Sequence, residues 1–261
     1  MKYYIVTGTS RGIGEGIVRS LIGDGAIIFS VARNDNEALR SEASKKGGEV
    51  RFFPFDLSHT EKIDRFIEEL FGEIDFDAAE GVYLINNAGM LGPVGPIDKI
   101  PAHDIETHMR VNLLAPMRSC SAFIRSIEPF AGRKVIVNIT SGAGEHPYYG
   151  WSAYSSSKAA LTMCTRVIGE EQREKAHPVI AYAVAPGVVA TGMQEHIRSL
   201  DEADFAQKHK FVALHEKGLL SAPLEAGRLI AETLDDPRIS TGDVIDLRSF
   251  FGGRGSGTET S

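Results

Sequence analysis

Tyr3-Tyr4-Ile5-Val6-Thr7-Gly8-Thr9-Ser10-Arg11-Gly12-Ile13-Gly14 is the stretch on which the reading of this chain turns. An aromatic and β-branched run ends at Thr7, three glycines follow, and a segment of helical period begins at once. Strand, glycine turn and helix in succession suit a pyrophosphate: one glycine permits the reversal, one admits the phosphates to the backbone, and one lets the helix pack on the strand. The helix N-terminus then offers unpaired N–H groups to the anion. Without that context three glycines would mean only a loop, since Gly occurs 27 times in the chain.

Outward from this turn, short apolar runs alternate with longer helical segments, the pattern of stacked βαβ units and a parallel sheet. Strands are expected over 3–7, 26–31, 50–54, 82–86, 134–140, 179–185 and 243–247, and helices near 12–23, 35–46, 60–71, 102–128, 152–175 and 223–235. Runs such as Ala26-Ile27-Ile28-Phe29-Ser30-Val31 lack clean alternation, as expected of strands covered by helices on both faces. The predicted architecture is α/β: one domain, residues 1–249, with a doubly wound parallel sheet of about seven strands. A polar stretch, residues 191–221, interrupts the rhythm as an expected substrate loop. Residues 250–261, rich in Gly, Ser and Thr, read as a flexible tail or expression remnant.

The 261 residues are 43% apolar and 24% charged, enough for a large core and unlike a disordered chain or fibre. A net charge of -7 argues against a nucleic-acid partner. No signal-like or membrane-spanning apolar run is visible, and two cysteines, Cys120 and Cys164, make no disulfide framework, so a reducing, cytoplasmic setting away from membranes is expected. The eight histidines show no ligand spacing, and no metal site is expected.

Two cations cut across the acidic balance. A dinucleotide site selective for a ribose 2′-hydroxyl places an acid at the end of the second strand. Here that strand ends Val31-Ala32-Arg33, and Arg33, with Arg11 from the glycine turn, is suited to grip a 2′-phosphate. NADP(H) is therefore the expected cofactor. Asp35 and Glu37 lie close by but follow the strand end.

Tyr154-Ser155-Ser156-Ser157-Lys158 opens a long predicted helix and sets phenol and ammonium one turn apart on one face. A neighbouring cation favours the phenolate and makes the tyrosine a usable proton donor. Chance alone supplies about 0.3 such pairs in a chain of this composition, so the pair needs its neighbours. Thirteen residues upstream, Thr140-Ser141-Gly142 brings a hydroxyl to a strand end. Gly8, Asn86-Asn87-Ala88-Gly89, Ser141 and Pro186-Gly187 fall at the carboxyl ends of four different predicted strands, the edge where open α/β sheets bind ligands.

From Lys2 to about Ser249 these motifs, with Asp56-Leu57, Asn112 and Pro186-Gly187-x-x-x-Thr191, resemble the short-chain dehydrogenase/reductase family. The resemblance implies a Rossmann-like reductase in which Tyr154 is the acid/base, Ser141 orients the carbonyl, and Lys158 also holds the nicotinamide ribose. It implies that Asn112 holds a water in a proton relay. The dinucleotide would lie on Gly8, Ser10, Arg11, Gly12, Ile13, Gly14, Arg33, Asp56, Leu57, Asn87, Ala88, Gly89, Tyr154, Lys158, Pro186, Gly187, Val189 and Thr191. Family members pair through their long helices, which implies a homodimer or homotetramer.

Within the family the chain is similar to the sepiapterin reductase branch, which includes carbonyl reductases of benzil-like diketones. The likeness lies in Thr241-Gly242-Asp243-Val244-Ile245-Asp246, where that branch anchors a pterin with an acid, and it implies that role for Asp246; a solvated acid at a strand end is the plainer alternative. Ser141, Tyr149, Trp151, Tyr154, Met193 and Asp246 are the expected substrate contacts, and an aromatic wall with an adaptable Met suits a flat, bulky small-molecule ketone. A 3-oxoacyl-thioester reductase and a non-catalytic NADP-binding sensor are the rival readings. The first would want a basic docking patch that the sequence does not show, and the second would have no need of the intact Tyr154 and Lys158.

Overall fold

The structure, a computed structural model, describes residues 1–252 of the 261. Its strands are β1 Lys2–Thr7, β2 Ala26–Ala32, β3 Glu49–Pro54, β4 Gly81–Asn86, β5 Arg133–Ile139, β6 Ile180–Ala185 and β7 Val244–Asp246. All pair in parallel in the order β3-β2-β1-β4-β5-β6-β7. The order reverses between β1 and β4, which opens a crevice at their carboxyl ends.

The helices are α1 Gly12–Leu21, α2 Glu37–Lys45, α3 Ile63–Phe71, α4 Ala102–Met109, α5 Ala115–Ile127, α6 Ser152–Arg173, α7 Gly192–Ser199, α8 Lys208–Glu216, α9 Pro223–Thr233 and α10 Leu247–Gly252. Strand alternation sorts the core into two layers. Tyr4 and Val6 join Ile17 and Val18 of α1, Leu39 of α2 and Ile230 of α9 on one face. Tyr3 and Ile5 join Ile63 and Leu70 of α3 and Phe123 of α5 on the other. With both faces covered, β2 and β4 are buried along their whole length, which is why their sequences run apolar without alternation.

Three expectations need correction. The helix read over 102–128 is two helices joined by a widened turn over Arg110–Leu114. Pro116 has no N–H for the Asn112 carbonyl four residues earlier, so the regular ladder fails there. The stretch 191–221 is an excursion carrying α7 and α8, closed at its neck where Ala190 N–H donates to Ser221 O at 2.9 Å and Ser221 N–H to Val188 O at 3.1 Å. Finally, the boundary expected after Ser249 falls inside α10, where Phe250 and Phe251 pack on the core and the Arg238 guanidinium lies 4.2 Å from the Phe250 ring centroid. The remainder of the expected tail, residues 253–261, lies outside the described residues.

Candidate active site

The carboxyl edge of the sheet carries a cavity of about 480 Å³ that draws its walls from the ends of β4, β5 and β6 and from the excursion. At its floor the glycine turn is held by side chains of the neighbouring strand end. Thr7 Oγ1 accepts the N–H groups of Asn87 and Ala88, both at 3.0 Å, and Asn87 Nδ2 donates to Thr7 O at 2.8 Å. Gly8 sits at φ 73°, a conformation that side chains rarely tolerate, and a Cβ on Gly14 would lie 2.1 Å from Gly8 O. The helix that follows, α1, begins with Arg11 at its cap and no side chain on its first N–H groups. Those donors, beside a turn too tight for any Cβ, fit a pyrophosphate. Gly8, Ser10, Gly12, Ile13 and Gly14 make up this turn and its entry to α1, and Asn87 and Ala88 pack against it.

At the adenosine end, Arg33 is exposed at the end of β2, and among the described residues neither it nor Arg11 is within ion-pair distance of an acid. Asp56 accepts Ser58 N–H at 2.9 Å, and its carboxyl is held below the usual range by Ser58 and, less, by the nearby Arg33 charge. Leu57 packs against the core beside it. Arg11 turns elsewhere: its Nη1 lies 3.9 Å from where a side chain on Gly192 would begin. The structure therefore places the Arg11 guanidinium beside the start of α7. Arg40 pairs with Asp35 and reaches Glu37 at 4.0 Å, so both acids face Arg40 and not Arg33.

The catalytic residues meet where α6 passes β5. Lys158 is buried and its Nζ donates to Ile139 O at 2.8 Å, latching the helix to the strand end. Burial lowers its pKa to about 8, since a desolvated ammonium is costly. Ser141 Oγ accepts Ala143 N–H at 3.2 Å, and its hydroxyl lies close enough to the Tyr154 phenol to act on its titration. Burial pushes that phenol up, with Ser141 pulling it back. Lys158 Nζ lies 5.9 Å from the tyrosine ring centroid while giving one of its protons to Ile139 O. A phenol that stays protonated is still the form that donates to a carbonyl oxygen. Asn112 lies in the widened turn, 1% exposed, with Nδ2 donating to Met90 O at 2.8 Å and Oδ1 accepting Met90 N–H at 2.9 Å. Gly89 lies over it and Lys158, its Cβ position 3.5 Å from Asn112 Oδ1 and 3.7 Å from Lys158 Nζ.

The outer chamber is aromatic. Trp151 stacks on Phe205 with centroids 4.6 Å apart and planes within 4°, meets Tyr154 edge-on at 5.5 Å, and leans on Tyr148 and Phe211. Of the expected substrate contacts Trp151, Met193 and Asp246 line the cavity, and so do Pro186, Gly187, Val189 and Thr191 of the expected cofactor contacts. Tyr149 does not: it is 49% exposed and outside the lining, whereas Tyr148 faces in, because Gly150 turns the chain at φ 82° and leaves only one of the two tyrosines against Trp151. Asp246 is at the mouth but is not free. Arg248, a lining residue that the sequence reading missed, donates Nη2 to Asp246 Oδ2 at 2.6 Å and Nε to Oδ1 at 3.1 Å. Its stem rests in the notch left by Gly187, where a Cβ would lie 3.2 Å from Arg248 Cδ. The spacing of two was the available signal. Ile197, Lys210 and Leu219, from the stretch expected to form the substrate loop, also line the cavity, as does Leu91, which no motif marked. Among the described residues no cluster of three His, Cys, Asp or Glu is placed to hold a metal ion, and no helix is long and apolar enough to cross a membrane.

Comparison with known proteins places this geometry. The family model described as short chain dehydrogenase matches residues 2–202, and the chain belongs to that family. It is an oxidoreductase acting on carbonyl and hydroxyl groups, in the benzil and sepiapterin reductase branch. It is 36% identical to a benzil reductase, (S)-benzoin forming, of Bacillus cereus over 95% of this chain and 99% of that one. A sepiapterin reductase of Xenopus laevis is 28% identical, over 93% and 94% of the two chains. Among solved structures, the KRED1-Pglu enzyme is 30% identical with a TM-score of 0.78, over 94% of this chain and 100% of that one. A 3-oxoacyl-[acyl-carrier protein] reductase of Brucella melitensis, in complex with NAD, matches at 26% identity and the same TM-score of 0.78, covering 94% and 95%.

Proposed function

We propose that the protein is an NADPH-dependent carbonyl reductase of aromatic α-diketones, acting in the cytoplasm on a small-molecule ketone. When bound, the dinucleotide supplies hydride to the carbonyl carbon. Tyr154 donates the proton to the carbonyl oxygen, Ser141 orients that oxygen, Asn112 supports the proton supply, and the Lys158 ammonium stabilises the phenolate left behind. The aromatic chamber around Trp151 excludes water and stacks on a flat ketone. The observation that carries the reading is this chamber opening directly onto Tyr154.

The Asp246–Arg248 pair favours a diketone over a pterin. A pterin anchor needs a carboxylate free to accept the ring's N–H groups, and here both oxygens are engaged by one guanidinium. Benzil-like names among the relatives support the same choice. Support for NADPH comes from Arg33 at the end of β2, which has no acid within ion-pair distance among the described residues. An oligomer through α5 and α6 is consistent with Leu114, Met117, Met163 and Val167, all exposed on that side, and sedimentation measures it.

The decisive experiment follows NADPH and NADH consumption against benzil, sepiapterin and a 3-oxoacyl thioester. Benzil turnover well above the other two is expected; preference for the thioester or for sepiapterin would overturn the substrate assignment. Arg33→Asp should cut the NADPH-over-NADH preference by about 10- to 100-fold, the worth of one or two charge-assisted bonds, and an unchanged ratio would remove Arg33 from phosphate recognition.

A further inference from the structure

His108 is a buried, titratable group that the chemistry above leaves unused. It stands on α4, four residues before Asn112 in the widened turn that follows, and is 0% exposed. Nδ1 lies 2.6 Å from Gly92 O, an atom that can only accept, so Nδ1 carries the proton. Nε2 lies 3.1 Å from Asn112 Nδ2 and 3.1 Å from Ser157 Oγ on α6. Asn112 Nδ2 has two protons. Met90 O takes one, and the His108 Nε2 lone pair receives the other. Ser157 already has an acceptor in Tyr154 O at 2.8 Å, so Nε2 depends on Asn112 for its donor.

The opposite protonation state conflicts with this arrangement. An imidazolium would set an Nε2–H against the Asn112 N–H and bring a second cation toward Lys158. Burial lowers the His108 pKa, the Gly92 carbonyl opposes that shift, and the Lys158 charge adds to it. The groups facing the ring from α6 are Tyr154, edge-on at 6.1 Å, and Lys158; the loop at Gly92 presents backbone only. On its own helix Asp104 pairs with His103 at 3.1 Å, and Glu106 and Arg110 are exposed.

We propose that His108 is a positioning residue for reduction: its neutral imidazole takes the last amide proton of Asn112, ties α4 to Gly92 and to Ser157 of α6, and so fixes Asn112 relative to Tyr154 and Lys158. The inference rests on the chain working as a reductase and holds for whichever ketone it reduces. Protonating His108 breaks the tie, so kcat falls on an acid limb whose midpoint lies below the ordinary imidazole value.

The test pairs two variants. His108→Phe keeps a buried ring without polar atoms, and His108→Gln keeps an amide able to accept from Asn112 and donate to Gly92 without titrating. His108→Phe should lower kcat about tenfold or more while KM for the ketone and NADPH affinity stay within about twofold. His108→Gln should recover most of kcat and lose the acid limb. Imidazole nitrogen NMR of the unaltered protein should show the Nδ1–H tautomer at neutral pH. A wild-type kcat in His108→Phe, an acid limb persisting in His108→Gln, or an Nε2–H tautomer would each overturn the proposal. If His108→Phe does not fold, the His108→Gln profile and the NMR tautomer decide. Should the unaltered protein reduce no ketone at all, the reductase reading fails, and the tautomer measurement separates that result from a wrong placement of His108.

Discussion

The two halves of the cavity are built by different means. The half beneath β1 and β4 is made of backbone: glycines that admit no Cβ, N–H groups at the start of α1, and short polar side chains that hold the turn. The half beneath α7 and α8 is made of side chains, with Trp151 stacked on Phe205, Tyr148 and Phe211 tilted against them, and an ion pair at the rim. A cofactor common to many enzymes can be met by a fixed backbone mould, whereas the substrate varies and is met by rings and rotamers that can be exchanged without disturbing the sheet. Tyr154 and Lys158 stand at the seam, Lys158 anchored to the end of β5 and both lining the cavity.

The largest effect is expected at the seam. Tyr154→Phe should lower kcat by about 10²- to 10⁴-fold with NADPH binding intact, read by steady-state kinetics and by cofactor fluorescence. If cofactor affinity falls with it, the two halves are not as separable as the geometry indicates. Gly14→Ala attacks the backbone mould. With Gly8 O 2.1 Å from the new Cβ, NADPH affinity should drop about tenfold or more and stability by about 1–3 kcal/mol, whereas wild-type binding would show that the turn is not rigid.

Arg248→Ala should free the Asp246 carboxylate and raise the ratio of sepiapterin to benzil turnover severalfold without moving NADPH affinity; an unmoved ratio would show that the rim does not choose substrates. The smallest effect concerns Lys158. Its folded pKa, about 8, lies below the ordinary value, so the folded state releases a proton that the unfolded chain keeps. Stability therefore rises as pH climbs from about 8 toward the unfolded lysine value, and the cost of the buried charge is fully present below that window. Lys158→Met should remove that slope and raise Tm by a few degrees at neutral pH while sharply reducing turnover. A lowered Tm would mean that the bond to Ile139 outweighs the desolvation.

Much of this was legible in the sequence because the relevant contacts are local or lie at strand ends. All seven strands fall within a residue or two of the predicted spans, since buried parallel strands are short apolar runs closed by Gly, Asn or Pro. Pro116 was the visible cause of the break at Asn112 but was masked by the apolar period running through it. Tyr148 and Tyr149 are indistinguishable by type, and only the turn at Gly150 decides which faces Trp151. Phe250 and Phe251 were lost to the tail because a helix of six residues gives almost no periodic signal.

By itself, the sequence determined the α/β sheet, the glycine turn and the identities of Tyr154, Lys158, Ser141 and Asn112. The sheet, the turn and the Tyr154–Lys158 pair follow from backbone conformation or from residues one turn apart, Ser141 from its place at a strand end, and Asn112 from the family resemblance alone. The tertiary structure decided the rest: Arg11 turned toward Gly192, Asp246 claimed by Arg248 over the Gly187 notch, and His108 closed on Asn112 from α4, Gly92 and Ser157. Those outcomes depend on which side chain reaches a shared partner first. That competition is settled by distances across the folded chain, between groups that in several of these cases stand tens of residues apart in sequence.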